Sequence, residues 1–308
     1  MNGNFGPMEM KTKLVSHLEI SRLVLGIWRL IDWNKTHQEL LSFIKESVEI
    51  GVTTFDHADI YGNHECEAAF GKVTKNNSLL RDQMQLVTKC GIKLNTNKFP
   101  ERKLKYYDYS ASYIISQVEQ SLKNLQTDYI DVLLLHRPSP FFNPEEVAKA
   151  FDQLKSSGKV NHFGVSNFLP LQLESLQAFV EEPLVTNQIE ISAYSLEHFE
   201  NQNLDYLISK KIRPMAWSPL AGGELLTPKT EKGTRLIQAV EAVAQELGVT
   251  QTEQILYQWL LMHPSGIIPI LGTGKIERIK TAVDSLNIQM SLAHWFQIYN
   301  ASTGKELP

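Results

Sequence analysis

The sequence reads Gly-Val-Thr-Thr-Phe-Asp-His-Ala-Asp-Ile-Tyr over residues 51–61. A turn glycine is followed by β-branched and aromatic residues, which favour a buried strand, and this run leads into Asp56. Tyr61 follows five positions later, immediately before a second turn glycine, Gly62. A carboxylate and a phenol at the exit of a strand are either a polar strand end or two parts of a proton-transfer site. The rest of the chain decides between these interpretations.

Similar apolar runs recur before and after this stretch, and they alternate with segments of helical periodicity. The predicted strands are residues 23–28, 53–58, 85–89, 130–135, 160–165, 185–191, 213–217 and 267–271. The predicted helices that follow them are residues 37–50, 65–73, 112–125, 144–156, 171–179, 204–210, 236–247 and 276–286. The strands are continuous rather than alternating apolar runs, as expected for a parallel sheet that is buried on both faces.

Eight strand–helix units without an intervening linker predict a (β/α)8 TIM barrel with a parallel eight-stranded sheet. We expect a single domain over residues 1–308. Residues 11–20 are compatible with an N-terminal β-hairpin, and residues 252–262 and 292–299 predict extra helices in the C-terminal part. The alternative, a doubly wound sheet with a cap, requires a Gly-x-Gly-x-x-Gly turn after an early strand, and the sequence contains none.

The composition indicates a globular protein with a full core, because 43% of the residues are hydrophobic and 21% are charged. The net charge of −4 provides no basic footprint for nucleic acid, so a small-molecule partner is expected. The N-terminus lacks the layout of a signal peptide and the apolar runs are too short to span a bilayer. Cys66 and Cys90 make no disulfide framework, which is typical of a cytoplasmic protein. A monomer is the default expectation.

In a barrel of this type, the chemistry lies where the strands end and the βα loops begin. Each residue at these positions, taken alone, has an ordinary structural explanation. Their accumulation at the same end of successive strands favours an active site. The set is Asp56, Tyr61, Lys89, His136, Ser166, Asn167, Gln188, Trp217, Ser218, Pro219, Leu220, Gly272, Thr273, Gly274 and Lys275.

The motifs that contain this set resemble those of the aldo-keto reductase family over nearly the whole chain. The matching segments are residues 51–62, 87–89, 131–138, 158–168 and 187–190, and the short loops resemble a bacterial oxidoreductase subgroup. The resemblance implies reduction of a small-molecule aldehyde or ketone to an alcohol with NADP(H). It also implies a catalytic tetrad of Asp56, Tyr61, Lys89 and His136.

The chemistry of carbonyl reduction is consistent with this tetrad. The carbon receives a hydride and the oxygen a proton, but a free tyrosine, with a pKa of about 10, holds its proton firmly at neutral pH. Lys89 is expected to lower the pKa of Tyr61, and Asp56 to hold and orient the lysine. Neutral His136 is expected to donate to the carbonyl oxygen. Trp28, Tyr61 and His136 are the expected substrate contacts.

The resemblance also implies a cofactor site. Ser166, Asn167 and Gln188 would hold the nicotinamide carboxamide, and Trp217 would stack on the nicotinamide ring. Residues 218–220 would lie near the pyrophosphate, and residues 272–275 lead into a helix in which Arg278 suits a 2′-phosphate. NADPH is therefore expected rather than NADH.

Three positions depart from the commonest family pattern. Gly272 stands where many members have a lysine that grips the cofactor, and Lys275 is a candidate to supply the missing charge from a shifted position. Thr281 and Ala282 replace a frequent Glu-Asn pair that holds adenine.

Other interpretations stay open or are rejected. One is a nucleotide-binding sensor or regulatory subunit with little turnover. Another is a Schiff-base aldolase using Lys89, which is disfavoured because Asp56 would keep that lysine protonated. Residues 92–109 are interpreted as a lid, an interface or a solvated loop. We reject a metal site because the candidates lack a recognised ligand spacing; they are His57, Asp59, His64, Glu65 and Cys66.

Overall fold

The computed structural model describes residues 7–75 and 77–307 of the chain. The strands are β1 (Lys11–Val15), β2 (Leu18–Ser21), β3 (Val24–Gly26), β4 (Thr54–Asp56), β5 (Gln85–Cys90), β6 (Ile92–Lys93), β7 (Tyr106–Tyr107), β8 (Ile130–Leu135), β9 (Val160–Ser166), β10 (Leu184–Glu190), β11 (Met215–Trp217) and β12 (Ile268–Leu271). The α-helices are α1 (His37–Glu49), α2 (Tyr61–His64), α3 (Cys66–Thr74), α4 (Ser78–Arg81), α5 (Ala111–Leu125), α6 (Pro144–Ser156), α7 (Pro170–Gln177), α8 (Glu197–Glu200), α9 (Asn203–Lys210), α10 (Glu231–Leu247), α11 (Thr252–Leu261), α12 (Ile276–Asp284) and α13 (Leu292–Thr303).

Eight parallel strands close into a barrel in the order β3-β4-β5-β8-β9-β10-β11-β12, and β12 pairs back with β3. This confirms the predicted (β/α)8 fold. Consecutive barrel strands are neighbours because each helical crossover returns the chain to the adjacent position in the sheet. The carboxyl ends of all eight strands therefore meet at one face.

Strand β8 shows why the barrel strands are apolar on both faces. Val132 and Leu134 belong to the cluster inside the barrel, whereas Leu133 and Leu135 pack in the cluster between the sheet and the helices. All four side chains are fully buried. A strand with two buried faces gains hydrophobic stabilisation from every residue, which explains the continuous apolar run in the sequence.

The N-terminal hairpin closes one end of the barrel. Strands β1 and β2 pair antiparallel, as the sequence predicts, and Leu14, Leu18 and Ile20 join the cluster inside the barrel. The backbone N–H of Ser21 donates to Oγ1 of Thr54, and the backbone N–H of Thr54 donates to Oγ of Ser21. The hairpin is thereby tied to the start of β4.

The predicted extra helices are present as α11 and α13. The Trp259 and Trp295 rings stack with their centroids 4.8 Å apart, and each indole N–H donates to the other residue's backbone carbonyl at 3.0 Å. These reciprocal bonds satisfy two buried N–H groups and join the two helices. None of the helices in the described residues is long and apolar enough to cross a membrane.

Local structure departs from the prediction in several places. The short helices α4 and α8 are additional, and α10 starts at Glu231 rather than at residue 236. The helix predicted over residues 65–73 starts only at Cys66, because the preceding turn contains Gly62 and Asn63 with φ values of 56° and 54°. The segment 92–109 is not structureless, since β6 and β7 pair antiparallel within it. An ion pair between Lys93 and Asp108, 2.7 Å long, supports this small sheet.

Candidate active site

A cavity of about 730 Å³ opens where the barrel strands end. Its size is typical of a small-molecule or cofactor site. The sequence-predicted residues that line it are Trp28, Asp56, Tyr61, His136, Ser166, Asn167, Gln188, Trp217, Ser218, Pro219, Leu220, Gly272, Thr273 and Arg278. Gly274 and Lys275 instead line a separate shallow depression.

Lys89 lies behind the cavity wall, where each hydrogen of its ammonium group has an acceptor. Its Nζ donates to Oδ1 and Oδ2 of Asp56 at 2.7 and 2.8 Å and to the carbonyl oxygen of His57 at 2.7 Å. The side chains of Lys89 and Asp56 are only 1% and 4% exposed. Gln188 donates to Oδ1 of Asp56 at 2.7 Å. The three ammonium protons are thus all engaged.

Sheet register explains why Asp56 and Lys89 meet. Strands β4 and β5 are adjacent and parallel, and Asp56 is paired with Val87. Lys89 is two residues beyond Val87, so its side chain points to the same face of the sheet, the barrel interior. A carboxylate and an ammonium group at these two positions must therefore share the top layer of the barrel.

Tyr61 and His136 complete this corner of the cavity. The Nζ atom of Lys89 lies 5.0 Å from the centroid of the Tyr61 ring. The rings of Tyr61 and His136 are edge-to-face with centroids 5.9 Å apart. The four residues that the sequence groups as a tetrad are thus close together in space.

The pKa of Tyr61 differs from the expectation. Loss of hydration in the cavity raises this pKa well above its usual value, and the Asp56 carboxylate raises it further. The protons of Lys89 point to Asp56 and His57, which limits the stabilisation that the ammonium group offers to a phenolate. Tyr61 therefore keeps its proton at neutral pH.

His136 is neutral at ordinary pH. Loss of hydration lowers its pKa well below the usual value, and the positive charges of Lys89, Arg137 and Lys105 act in the same direction. Its Nδ1 atom is buried and has no hydrogen-bond partner among residues 7–75 and 77–307. A neutral imidazole in this position retains one N–H with which to donate to a bound molecule.

Polar side chains at the ends of β9, β10 and β11 form a connected group. The indole N–H of Trp217 donates to Oδ1 of Asn167 at 3.0 Å, and Nδ2 of Asn167 donates to Oγ of Ser166 at 2.8 Å. Ser166 in turn donates to the carbonyl oxygen of Gln188 at 2.8 Å. Asn167 has a φ of 63°, a left-handed conformation that asparagine tolerates well. The Trp217 ring is therefore held in a fixed orientation in the cavity wall.

Arg278 lines the cavity, but its guanidinium group has a partner. One terminal nitrogen of Arg278 lies 2.8 Å from Oε1 of Glu253, a residue of α11 that also lines the cavity. The side chains of Arg278 and Glu253 are 47% and 14% exposed. Glu253 has no place among the residues expected from the sequence.

A model of the Aldo/keto reductase family matches residues 22–301. The chain belongs to this family. It is 47% identical to the uncharacterized oxidoreductase YcsN of Bacillus subtilis, over 97% of this chain and 99% of that protein. It is 42% identical to a 6-dehydroglucose reductase of Agrobacterium fabrum, over 96% of this chain and 98% of that protein. The fold is also that of an aldo/keto reductase from Klebsiella pneumoniae in complex with NADP and acetate, with a TM-score of 0.76 at 23% identity, covering 94% of each chain.

Family membership makes the chain an oxidoreductase whose substrates are small carbonyl compounds. The environment of Lys89 is unlike that of a Schiff-base lysine, which needs an accessible, unpaired amine. Here the amine is buried and bonded to three oxygens. The aldolase interpretation therefore has no structural support.

The cavity also contains residues that the sequence interpretation missed. Ile92, Leu94 and Lys105 come from the segment that carries β6 and β7, and Arg29 and Arg137 follow barrel strands. The position of Arg137, immediately after His136 at the end of β8, could have identified it. For residues 92–109 the sequence leaves a lid, an interface and a solvated loop open, and it does not single out Ile92, Leu94 or Lys105, because their contact with the cavity depends on the pairing of two strands of two residues each.

A group of ionisable side chains lies buried near Lys89. Burial and the Lys89 charge lower the pKa of His57 to about 3, whereas burial raises the pKa of both Asp59 and Glu67. Oγ1 of Thr88 donates to Glu67 at 2.6 Å. In the part of the chain that the structure describes, no group of three or more His, Cys, Asp or Glu residues is placed to hold a metal ion.

Proposed function

We propose that the protein reduces an aldehyde or ketone to the corresponding alcohol with NADPH, using Tyr61 as the general acid. The observation that supports this most directly is the grouping of Tyr61 and His136 above the buried Asp56–Lys89 pair, in one cavity. A proton donor and a neutral hydrogen-bond donor at one point are what a carbonyl oxygen needs as it becomes negatively charged.

Tyr61 would supply the proton at oxygen, and the bound nicotinamide would supply the hydride at carbon. The raised pKa of Tyr61 keeps the proton on the phenol until the alkoxide forms, and an alkoxide is basic enough to take it. His136 would donate its remaining N–H to the same oxygen and so orient the carbonyl group. The Asp56–Lys89 pair would form a rigid support beneath Tyr61 and hold the lysine ammonium group 5.0 Å from the centre of the phenol ring.

The cavity fits a dinucleotide. Trp217 offers an aromatic face whose orientation Asn167 fixes, and Ser218 has a φ of 51° at the start of the following turn. Gly222 and Gly223 line the cavity with φ values of 65° and 104°, and a Cβ at either would meet no described atom within 4 Å. Such a turn lets backbone N–H groups approach phosphates closely. The structural neighbour bound to NADP supports the same cofactor.

The relative from Agrobacterium fabrum suggests the first substrates to test. Its name, 6-dehydroglucose reductase, describes a sugar aldehyde. The cavity of the present protein combines Trp28 and Trp217 with the charged side chains of Arg29, Lys105 and Arg137. Aromatic faces and hydrogen-bond donors suit a hydroxylated aldehyde.

Replacement of Tyr61 by phenylalanine tests the proposal. We expect kcat for a model aldehyde to fall by roughly 10²–10⁴-fold, the usual contribution of a general acid, while the Kd for NADPH stays unchanged. NADPH oxidation measures the former and fluorescence titration the latter. The matched control is Tyr206→Phe, which removes a tyrosine hydroxyl outside the cavity.

Two results would contradict the proposal. Undiminished turnover by Tyr61→Phe would remove the general-acid role. The second result concerns the wild-type protein. If it binds NADPH but does not oxidise NADPH when any of the sugar aldehydes or nitrobenzaldehydes is added, the sensor interpretation is favoured instead.

A further inference from the structure

The Arg278–Glu253 pair is the feature of the cavity that the proposed function leaves unexplained. The two residues come from different helices, α12 and α11, and meet at 2.8 Å in the cavity wall. Glu253 is the less exposed of the two, at 14% against 47%. A ligand group that reaches the guanidinium of Arg278 therefore also meets the carboxylate of Glu253.

Gly272 and Lys275, which follow β12, do little to offset this carboxylate. Gly272 has no side chain, and a Cβ there would meet no described atom within 4 Å, so nothing fills the space where a lysine would reach the cavity. Lys275 lines the separate shallow depression together with Glu39, Glu46 and Glu277. The candidate replacement for the missing lysine is thus directed away from the cavity.

The two nicotinamide cofactors differ at the one group that Arg278 is expected to contact. NADPH carries a 2′-phosphate with a charge near −2, which the guanidinium attracts and the Glu253 carboxylate repels. NADH carries a 2′-hydroxyl, for which a carboxylate is a good hydrogen-bond acceptor; an acidic residue fills this role in other dinucleotide sites. Arg278 and Glu253 therefore act in opposite directions on the choice of cofactor.

We infer that Glu253 is a specificity-determining residue that weakens NADPH binding relative to NADH. As a result, the protein binds both cofactors, with dissociation constants within about tenfold of each other, equivalent to roughly 1.4 kcal/mol. This inference rests on the proposed function, since it assumes that a nicotinamide dinucleotide occupies the cavity. It adds NADH as a working cofactor and names the residue responsible.

The test measures binding directly. The Kd for NADPH and for NADH is determined by fluorescence titration for the wild-type protein, Glu253→Gln and Arg278→Gln. Glu253→Gln keeps the shape and one acceptor oxygen but removes the charge. We expect it to tighten NADPH binding about tenfold and to change NADH binding by less than about threefold, because only NADPH carries the repelled phosphate. Arg278→Gln should weaken NADPH more than NADH.

Glu277→Gln is the matched control, because Glu277 lies next to Arg278 on α12, is exposed and does not line the cavity. An increase in the NADH-to-NADPH Kd ratio of at least about fivefold in Glu253→Gln, with a change of less than about twofold in Glu277→Gln, supports the inference. A smaller increase or a decrease in Glu253→Gln, or an equal increase in Glu277→Gln, overturns it. If the folded wild-type protein binds neither cofactor, the proposed function fails together with the inference. If it binds a cofactor but Glu253→Gln leaves the Kd ratio unchanged, only the inference fails.

Discussion

The molecule places two carboxylate–cation pairs of nearly equal length in opposite surroundings. Asp56 and Lys89 meet at 2.7 Å beneath the cavity, and their side chains are almost completely buried. Arg278 and Glu253 meet at 2.8 Å in the cavity wall, and the guanidinium is half exposed. The first pair is further satisfied by Gln188 and the carbonyl group of His57. Hydrogen bonds from several strands thus fix the buried pair, whereas the pair in the wall joins two helices.

The two pairs differ in the property of the protein that they affect, stability or ligand binding. Removing one member of a buried pair leaves an uncompensated charge away from water, which is strongly destabilising. An exposed pair is screened by solvent and contributes little to the free energy of unfolding. We therefore expect the Arg278–Glu253 pair to affect ligand binding in the cavity. The Asp56–Lys89 pair is expected to affect the stability of the barrel as well.

The largest expected effect is on the buried pair. Lys89→Met leaves the Asp56 carboxylate without its ammonium partner, so we expect the free energy of unfolding to fall by roughly 3–5 kcal/mol. Urea denaturation measures this change. In the double variant with Asp56→Asn no charge remains, so its loss should be smaller than the sum of the two single losses. Additive losses would mean that the two side chains do not act as one unit.

A second prediction concerns Asp59, the buried carboxyl group near this pair. Within the described part of the chain, neither of its oxygens makes a hydrogen bond of good geometry, although the backbone N–H of Ile60 is near. Burial and Glu67 raise the pKa of Asp59 well above its usual value, so folding is accompanied by proton uptake at pH values between the unfolded and the folded pKa. We expect Asp59→Asn to increase the free energy of unfolding by roughly 1–3 kcal/mol at pH 8.

The pH dependence checks the cause of this effect. A raised folded-state pKa stabilises the wild-type protein fully below the unfolded value, and this contribution is lost as pH rises towards the folded value. The advantage of Asp59→Asn should therefore disappear near pH 4 and grow with pH. Asp128→Asn, an exposed control, should show no such trend. A gain that is independent of pH would point to packing instead.

The smallest expected effect is on the pair in the wall. Arg278→Gln should change the free energy of unfolding by less than about 1 kcal/mol, because solvent screens the half-exposed guanidinium. Added salt should reduce even this difference. A loss as large as that in Lys89→Met would contradict the contrast between the two pairs.

The barrel and the buried pair are predictable because their signals are local in the sequence. A continuous apolar run such as β8 fits a strand buried on both faces, and His136 directly follows it. Asp56 and Lys89 each belong to an apolar strand, and adjacent parallel strands bring their positions together. Register, burial and strand order are enough to place these side chains.

Other parts of the site depend on how helices and loops pack against one another in three dimensions. Glu253 reaches the cavity only because α11 packs beside α12, and its sequence neighbours look like those of an ordinary helix start. Lys275 precedes α12 and is exposed, but only the direction of its side chain decides which depression it lines. The pKa of Tyr61 depends on hydration and on where the protons of Lys89 point. No periodic pattern in the sequence indicates the packing of α11 beside α12, the direction of the Lys275 side chain or the hydration of Tyr61.

The hairpin at the base of the barrel has a consequence for the order of folding. Thr12 accepts a hydrogen bond from Arg213, a residue 201 positions further along the chain. Six of the eight strand–helix units lie between the hairpin and Arg213, so this contact requires the chain to return to its starting point. Contacts of such long sequence separation slow folding, because a large loop must close before they stabilise anything. The contact between the hairpin and Arg213 is therefore expected to form late in folding, whereas the pairing of β1 with β2 is local.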